Sequence, residues 1–544
     1  MLMIKKLFPL IFLVLISCSK PTLEKDIITI GLGYEPESLL PLFPLSATAS
    51  NVKSLIFNNL LKMNEDLVTF SPELAKSYTF SDDSLKITFI LNSNIYWHDD
   101  EKLTSNDVVF SHNLYTNKLV GWDGLSYKQN IIDVIAIDDT TVVYIFDNKT
   151  PFMVMDAVEG VILPKHILSK VEVEGLFQSD FGHNPIGSGP YKLTHWENQQ
   201  YIQLEKHEKY FNENKPSISK IIFKIINEPV MMVQQIMNRE IDMASNIPVI
   251  YLDKISQEDS NLEIVNYTGK DYDFIGWNMI DRVSFNQLKD SIKANPQTFI
   301  PLVEPHFLFG NKRIREAMSL AINKKLITEK LFSGNADPIN KPYVLFGTKQ
   351  LNTSNQYDIS KAKEILTEEG WIDSDGNGIL DKNGKEFKFT IYTNSGNIIR
   401  EQILDILVEE YGKIGIKMIP QKVEPNYLVS DIVPNKKFDA LLLGWNAGIK
   451  PDFTPLFHRS QYLHPFHLTG FYSPEFDDMN NKLLQSKNIT DFNYNLDIVL
   501  DELSQNRPYT WLYTKNNILV YNKRIKNVEP SIISPYRYLE YFEL

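Results

Sequence analysis

A histidine beside two aspartates is the first group in this sequence with the residue types for acid–base or metal chemistry. His98, Asp99 and Asp100 are consecutive, and an imidazole near carboxylates can act as a general base or bind a metal ion. Asp also tolerates the left-handed backbone conformation that tight turns require. The same residues therefore suit a turn, and a turn is what we predict.

Ser188 is a candidate nucleophile because it stands between two glycines. The surrounding Gly-Ser-Gly-Pro lacks the G-x-S-x-G spacing of a nucleophile elbow, and the proline opposes the helix that follows such an elbow. The sequence also has no G-x-x-x-x-G-K-[ST] phosphate-binding loop. We therefore expect no catalytic residue, no enzymatic activity and no cofactor.

An Asp- and Gly-rich stretch offers candidate calcium ligands. Asp373, Asp375 and Asn377 occupy positions 1, 3 and 5 of an EF-hand-like loop, with glycine at position 6. Position 12 is Gly384, so the bidentate carboxylate of such a loop is missing. A calcium site and a solvated turn both remain open, and the missing ligand favours the turn.

The start of the chain has the features of a secretory leader. Two lysines precede an apolar run at residues 7–16, which is too short for the roughly 20 residues that span a bilayer as a helix. The run ends in Leu-Ile-Ser-Cys, which resembles the lipobox of bacterial lipoproteins. We predict a signal peptide at 1–17, export across the cytoplasmic membrane, acylation of Cys18 and a tether at 18–25. The protein would then be lipid-anchored, in the periplasm or at the cell surface.

Net charge excludes some partners. The 68 acidic residues exceed the 55 basic residues, giving a formal charge of −13. Nucleic-acid binding needs clustered cations that neutralise phosphates, and adhesion to anionic lipid needs the same. We therefore expect no nucleic-acid partner, and membrane contact through the lipid anchor only.

Strand-like and helix-like segments alternate along the rest of the chain, which favours a mixed α/β architecture. Short β-branched or alternating segments predict strands, and apolar residues at helical spacing predict helices. A good N-cap residue, Ser360, and a good helix-ending residue, Gly370, predict one helix between them. The other segments are strands at 26–31, 85–91, 141–146 and 221–226, and a helix around 314–322.

Five blocks of sequence resemble the family 5 extracellular solute-binding proteins, the peptide- and nickel-binding group of ABC importers. The block Pro185-Ile186-Gly187-Ser188-Gly189-Pro190-Tyr191 is similar to the P-x-G-T-G-P-Y block of the family. The other four blocks occur in the family's order and cover, with it, most of residues 70–515. They are 72–110, with Trp97-His98-Asp99-Asp100; 311–323, with Arg313-Ile314-Arg315-Glu316-Ala317; 358–381; and 438–474, with Gly444-Trp445.

This resemblance implies an α/β fold of the periplasmic-binding-protein type (type II, cluster C). Such a fold is a two-lobed clamshell with an extra inserted domain in lobe I, and its solute is buried as the lobes close about a hinge. The implied boundaries are 26–66, 187–273 and 518–544 for domain Ia, 67–186 for the inserted domain Ib, and 274–517 for lobe II.

The resemblance also implies a set of ligand-binding residues. Peptide-binding members hold the ligand backbone with strand-like hydrogen bonds, and they pair its ammonium with a carboxylate at the position of Gly448. Because glycine stands there, Asp452 or Glu35 would supply the counter-charge, or the ligand would lack a free ammonium. The predicted ligand-binding residues are Tyr34, Glu35, Trp277, Asn278, Gly444, Trp445, Asn446, Gly448 and Asp452.

The function implied by the resemblance is the capture of an oligopeptide or peptide-like solute and its delivery to the permease subunits of an ABC importer. The alternative is a clamshell receptor or sensor for a peptide or oligosaccharide, without transport. We expect a monomer in either case.

Overall fold

The computed structural model describes residues 26–43, 46–212, 215–245, 247–346 and 357–544. The predicted signal peptide, Cys18 and the tether at 18–25 lie outside these residues. Within the described ranges the strands form three main sheets and two small two-stranded ones. The small sheets are β2 (Leu61–Met63) with β3 (Phe70–Pro72), and β15 (Asp381–Lys382) with β16 (Lys385–Glu386).

The first main sheet is mixed. Its central strand β1 is parallel to both of its neighbours, and the outer strands are antiparallel to theirs. β1 is fully covered at Ile28 and Ile30, which belong to the largest apolar cluster of the described chain. The strand order is β12 (Leu262–Tyr267), β21 (Asn517–Asn522), β11 (Met243–Ser245), β1 (Ile27–Leu32), β10 (Lys220–Ile225), β9 (Tyr201–Lys206) and β8 (Tyr191–Glu197).

The second main sheet contains β13 near its centre, antiparallel to both neighbours. Side chains of a strand alternate between the two faces, and both faces of β13 are covered. Phe274 lies in one apolar cluster, while Ile275 and Trp277 lie in another. The strand order is β14 (Ala336–Pro338), β20 (Tyr509–Lys515), β13 (Asp271–Trp277), β19 (Ala440–Asn446), β17 (Lys388–Asn394) and β18 (Lys417–Val423).

The third main sheet is antiparallel throughout and lies inside the segment predicted as an insertion. Its order is β4 (Ala75–Phe80), β5 (Lys86–Leu91), β7 (Thr141–Phe146) and β6 (Ile131–Asp138). The predicted strands at 26–31, 85–91, 141–146 and 221–226 all match observed strands to within one residue.

Helices cover the sheets. In the described residues none is long and apolar enough to cross a membrane. The helices are α1 (Ala47–Ile56), α2 (Ser105–Thr116), α3 (Met153–Val158), α4 (Lys165–Leu168), α5 (Pro229–Met237), α6 (Leu252–Glu258), α7 (Arg282–Ala294), α8 (Pro296–Phe299), α9 (Lys312–Leu320), α10 (Lys324–Phe332), α11 (Ile359–Glu368), α12 (Ile398–Gly412), α13 (Pro425–Tyr427), α14 (Thr454–Phe457), α15 (Pro474–Leu484) and α16 (Ile489–Asn506).

Two sequence predictions need correction. Helix α11 is capped by Asp358, whose carboxylate accepts a hydrogen bond from the Lys361 amide, so Ser360 is already inside the helix. The chain enters the second sheet before Asp271 and not after residue 273. The whole of β13 is hydrogen-bonded in that sheet, beginning with the pairing of Asp271 and Asn446.

Candidate ligand-binding site

A cavity of about 540 Å³ lies where segments that flank the three main sheets meet. Its wall includes Lys53 of α1, Glu159 just after α3, and Lys270 just before β13. Ile449, beyond the end of β19, and Arg537, near the end of the chain, complete it. The cavity is therefore built from segments that are far apart in the sequence.

The segment around Glu159 is fixed through its backbone. The Lys128 ammonium donates to the carbonyl oxygens of Asp156 at 2.8 Å and of Glu159 at 2.6 Å. The Asn59 amide donates to the Gly160 carbonyl oxygen at 3.3 Å. Because these donors satisfy the carbonyls at the end of α3, the backbone needs nothing from the Glu159 side chain.

Gly160 is required by this arrangement. Its φ is +87°, and a Cβ atom at this position would lie 2.7 Å from the Tyr115 ring. Tyr115 is itself fixed, because its hydroxyl donates to the Val161 carbonyl oxygen at 2.9 Å. A side chain at residue 160 would therefore displace this part of the cavity wall.

Some charges of the cavity wall have partners. The Lys62 ammonium lies 2.9 Å from the Glu540 carboxylate, and the Glu73 carboxylate accepts hydrogen bonds from the Asn58 side chain and the Asn59 amide, each at 2.9 Å. Burial raises the pKa of Glu73, and the attraction of Lys62 opposes that rise. These groups are satisfied within the protein.

The C-terminal segment joins this wall through further contacts. Arg537 donates to the Met63 carbonyl oxygen, and the Ser534 hydroxyl bonds to the Asn51 side chain at 2.8 Å. The segment with Ser534 and Arg537 therefore completes a cavity wall whose first part is formed by α1 and β2.

Other charges of the wall have no side-chain partner among the residues that the structure describes. Within the described ranges, Lys53, Asp123, Glu159 and Lys270 form no side-chain hydrogen bond or ion pair. Burial raises the pKa of Glu159, opposed mainly by Lys128 and then by Lys53. Burial lowers the pKa of Lys53 and of Lys270, and in both cases the attraction of Glu159 opposes it. The cavity thus presents charges of both signs that a solute could neutralise.

An ion pair connects the inserted segment to the second sheet beside the cavity. The Lys450 ammonium lies 3.2 Å from one carboxylate oxygen of the fully buried Asp156. It also lies 5.0 Å from the centre of the Phe152 ring, which contacts the rings of Phe346 and Phe492. Burial raises the pKa of Asp156 to about 6, although Lys450 acts in the opposite direction.

Trp277 and Asn278 were predicted as ligand contacts, and the structure contradicts this. The fully buried Trp277 donates from Nε1 to the Thr510 hydroxyl at 2.9 Å. Asn278 is also buried, and its amide donates to the Phe438 carbonyl oxygen at 2.9 Å. The reason is the position of β13, whose two faces are both covered by the core of its sheet.

Glu35 and Asp452, the predicted counter-charges, are used elsewhere. Glu35 accepts a hydrogen bond from Trp196 Nε1 at 2.8 Å, and Asp452 accepts one from the Thr454 amide at 2.8 Å, at the start of α14. Neither lines the cavity, and neither does the exposed Tyr34.

The predicted segment 444–448 approaches the cavity only at its end. A Cβ atom at Gly444 would collide with the ion pair of Asp273 and Arg400, so this glycine serves packing. Trp445 stacks on Phe274 in the core. The remaining two predicted residues, Asn446 and Gly448, are exposed and outside the cavity wall, whereas the next residue, Ile449, lines it.

The candidate calcium turn uses its own oxygen atoms. Asp373 accepts a hydrogen bond from the Gly378 amide, Asp375 accepts one from the Asn377 amide, and Asn377 accepts one from the Ile379 amide. Over the part of the chain that the structure describes, no group of three or more His, Cys, Asp or Glu side chains could hold a metal ion.

The predicted turn at His98 is present, with Asp100 at φ +72°. His98 Nδ1 accepts a hydrogen bond from the Gly187 amide at 3.2 Å, and Nε2 lies 3.1 Å from the Gly189 carbonyl oxygen. Burial lowers the pKa of His98 to about 3. This histidine therefore joins two loops in its neutral form.

Sequence reasoning missed the charged residues of the cavity. One signal was available, since Asp156 and Glu159 are the two acids within the otherwise apolar stretch 152–163. A charge in an apolar run is either paired or functional, because burying it alone is unfavourable. Lys53 gives a weaker signal of the same kind, as the only charged residue of helix α1.

Comparison with known proteins gives consistent results over nearly the whole chain. The family model described as "Bacterial extracellular solute-binding proteins, family 5 Middle" matches residues 69–461. The oligopeptide-binding protein AppA of Bacillus subtilis is 30% identical over 516 residues, which cover 92% of this chain and 88% of that protein.

Solved structures extend the comparison. The structure of Bacillus subtilis AppA in complex with a nonapeptide aligns with a TM-score of 0.71 at 27% identity, covering 95% of this chain and 98% of that one. CtaP from Listeria monocytogenes aligns with a TM-score of 0.78 at 23% identity, covering 96% and 99%. NikZ from Campylobacter jejuni, in complex with Ni(L-His), aligns with a TM-score of 0.74 at 23% identity, covering 96% and 100%.

Proposed function

Because this chain belongs to family 5 of the bacterial extracellular solute-binding proteins, we propose that it is the substrate-binding component of an ABC importer. It captures an oligopeptide or peptide-like solute and delivers it to the permease subunits. Similarity to a relative named as an oligopeptide-binding protein, with a structure in complex with a nonapeptide, supports this class of solute.

The observation that carries the proposal is the cavity at the junction of the three regions. Its volume of about 540 Å³ is within the 300–1,000 Å³ range typical of small-molecule sites. Charges of both signs face it, as a solute with an ammonium and a carboxylate requires.

The two lobes of the proposal are built on the seven-stranded and the six-stranded sheets. The chain passes between these sheets twice, after Tyr267 and after Lys515. Such inter-lobe connections are where hinges occur in binding proteins of this type. Opening at these two connections would separate Lys450 from Asp156 and give the solute access to the cavity.

The proposal includes export and a lipid anchor at Cys18, which would hold the protein near its permease. Cys18→Ser should leave solute binding unchanged and release the protein from membranes. Partition of the wild type into the detergent phase, with the variant in the aqueous phase, is the expected result. Equal partition of both would remove the anchor from the proposal without affecting the binding function.

Solute binding can be tested with the exported protein and a random tripeptide pool. Trp122 lines the cavity, so occupancy should change tryptophan fluorescence, and calorimetry should give a matching dissociation constant. Binding of oligosaccharides with no response to any peptide pool would refute the peptide part of the proposal.

A further inference from the structure

The side chain of Glu159 lines the cavity, and its contacts within the described residues do not explain why a carboxylate is there. Glu35 and Asp452, the two acids that the sequence offered as counter-charges, are engaged outside the cavity. Glu159 lines the cavity and forms no side-chain hydrogen bond or ion pair in the described part of the chain. Asp123 is the other unpartnered acid of the wall, but it is exposed, whereas Glu159 is partly buried. A cationic group inside the cavity would therefore gain most from Glu159, whose charge is the less hydrated of the two.

The protein holds Glu159 in place without using its carboxylate. Lys128 and Asn59 bind the carbonyl oxygens on both sides of it, and its own amide donates to the Met155 carbonyl oxygen at 3.0 Å, ending α3. A rigid backbone with a free, partly buried carboxylate is preorganised for a ligand. A carboxylate needed only for packing would be expected to have a donor within the protein.

Two cations complete the arrangement. Lys53 and Lys270 line the same cavity, each is close enough to Glu159 for their charges to interact, and neither forms an ion pair within the described residues. They come from α1 and from the start of β13, so they approach Glu159 from different parts of the molecule. An anionic group of the solute would bind here and satisfy the ammonium groups.

We propose that Glu159 binds a cationic group of the solute and that Lys53 and Lys270 bind its anionic group. The preferred solute is then a short zwitterion, such as a small peptide with both ends free, whose two charged groups lie inside this one cavity. The inference rests on the proposed peptide-binding function and adds its charge requirement.

Three tripeptide pools test the inference with the wild-type protein: one with free ends, one N-acetylated and one C-amidated. Removing one partner of a desolvated charge pair typically weakens binding by about 30-fold or more. Calorimetry should show a loss of this size for the acetylated pool and for the amidated pool. Wild-type affinities within threefold for all three pools would overturn the inference, and this comparison needs no variant.

Variants assign the groups. Glu159→Gln should weaken binding of the free pool and abolish the preference over the acetylated pool. Lys270→Met should reduce the preference over the amidated pool, and the double variant Lys53→Met/Lys270→Met should abolish it. Glu174→Gln is the matched control, because Glu174 is exposed and outside the cavity. A Glu159→Gln variant that still prefers the free pool would overturn the role of Glu159.

Failure of the proposed function has a different signature. If the wild type binds none of the pools, the peptide assignment fails, and the solute that co-purifies with the protein should be extracted and identified by mass spectrometry. A zwitterionic solute supports the charge arrangement even then. A solute without a cationic group overturns it.

Discussion

The ion pair of Lys450 with Asp156 predicts a pH-dependent effect of one substitution on solute affinity. Lys450→Met removes the ammonium and keeps a similar volume beside Phe152. Asp156 is then left fully buried, with neither carboxylate oxygen bonded to a side chain of the described residues. Because the pair connects the inserted segment to the second sheet beside the cavity, its loss should disfavour the closed form that the proposed function requires.

The size of the affinity loss depends on whether Asp156 is protonated. Breaking a buried ion pair costs about 3–5 kcal/mol when one charge stays unpaired, and partial exposure of Lys450 reduces this to about 2 kcal/mol. At pH 8 the variant should therefore bind solute about 30-fold more weakly than the wild type. At pH 5 Asp156 is protonated in the closed form, and the difference should fall below about threefold.

The direction of this pH dependence follows from the direction in which the pKa of Asp156 is shifted. Burial raises the pKa of Asp156 to about 6 in this structure, against an ordinary 3.8. If the proposed opening returns Asp156 to water and to its ordinary pKa, closure takes up a proton between these two pH values. The contribution of protonated Asp156 to closure is present at low pH and is lost as the pH rises through about 6. Without Lys450 the pKa of Asp156 rises further. In the Lys450→Met variant the contribution of Asp156 to closure is therefore still being lost above pH 6.

The assay is a double-mutant cycle of dissociation constants at pH 5 and pH 8. It uses the wild type, Lys450→Met, Asp156→Asn and the double variant, with the free tripeptide pool as ligand. The Lys450 effect should disappear in the Asp156→Asn background. An equal Lys450 effect at both pH values, or in both backgrounds, would refute the reasoning.

Three further predictions concern stability and metal binding. Gly160→Ala should destabilise the protein by about 2 kcal/mol, because it combines a strained φ with a clash against Tyr115; a differential scanning fluorimetry midpoint equal to that of the wild type would contradict this. Trp277→Phe should cost about 1–3 kcal/mol through lost volume and the lost hydrogen bond to Thr510, whose hydroxyl keeps its bond to Ser319, while the solute dissociation constant stays within about twofold; a large affinity loss at full stability would return Trp277 to the binding site. Calcium titrated into the protein should give no heat, because the Asp373 turn uses its own oxygens, and a saturable signal that Asp373→Asn removes would disprove it.

Periodicity and local signals account for the parts of the fold that the sequence predicted well. Strands with strict alternation, such as 141–146, appear at the predicted positions, because one covered face selects that pattern. Helix ends were less accurate, since Asp358 and Ser360 are both good caps and only the tertiary structure decides between them.

The proposed binding residues could not be predicted from the sequence in the same way. Lys53, Glu159 and Lys270 come from three separate segments, and only the packing of the sheets brings them to one cavity. Aromatic and amide residues on central strands, such as Trp277, are chemically suited to ligands and equally suited to a core. Trp277 lies in the core because its strand, β13, is near the centre of the second main sheet.

Closure of the cavity wall by the end of the chain affects when the protein becomes functional during its synthesis. Lys62 and Glu540 are 478 positions apart, so the ribosome makes the first wall long before the last. A partly synthesised or partly exported polypeptide has an incomplete binding site, however well its early strands have formed. Proteolytic loss of the segment after β21 would remove Arg537 and Glu540 from the cavity wall, and with them the buried Tyr536, Leu539 and Phe542 of the largest apolar cluster.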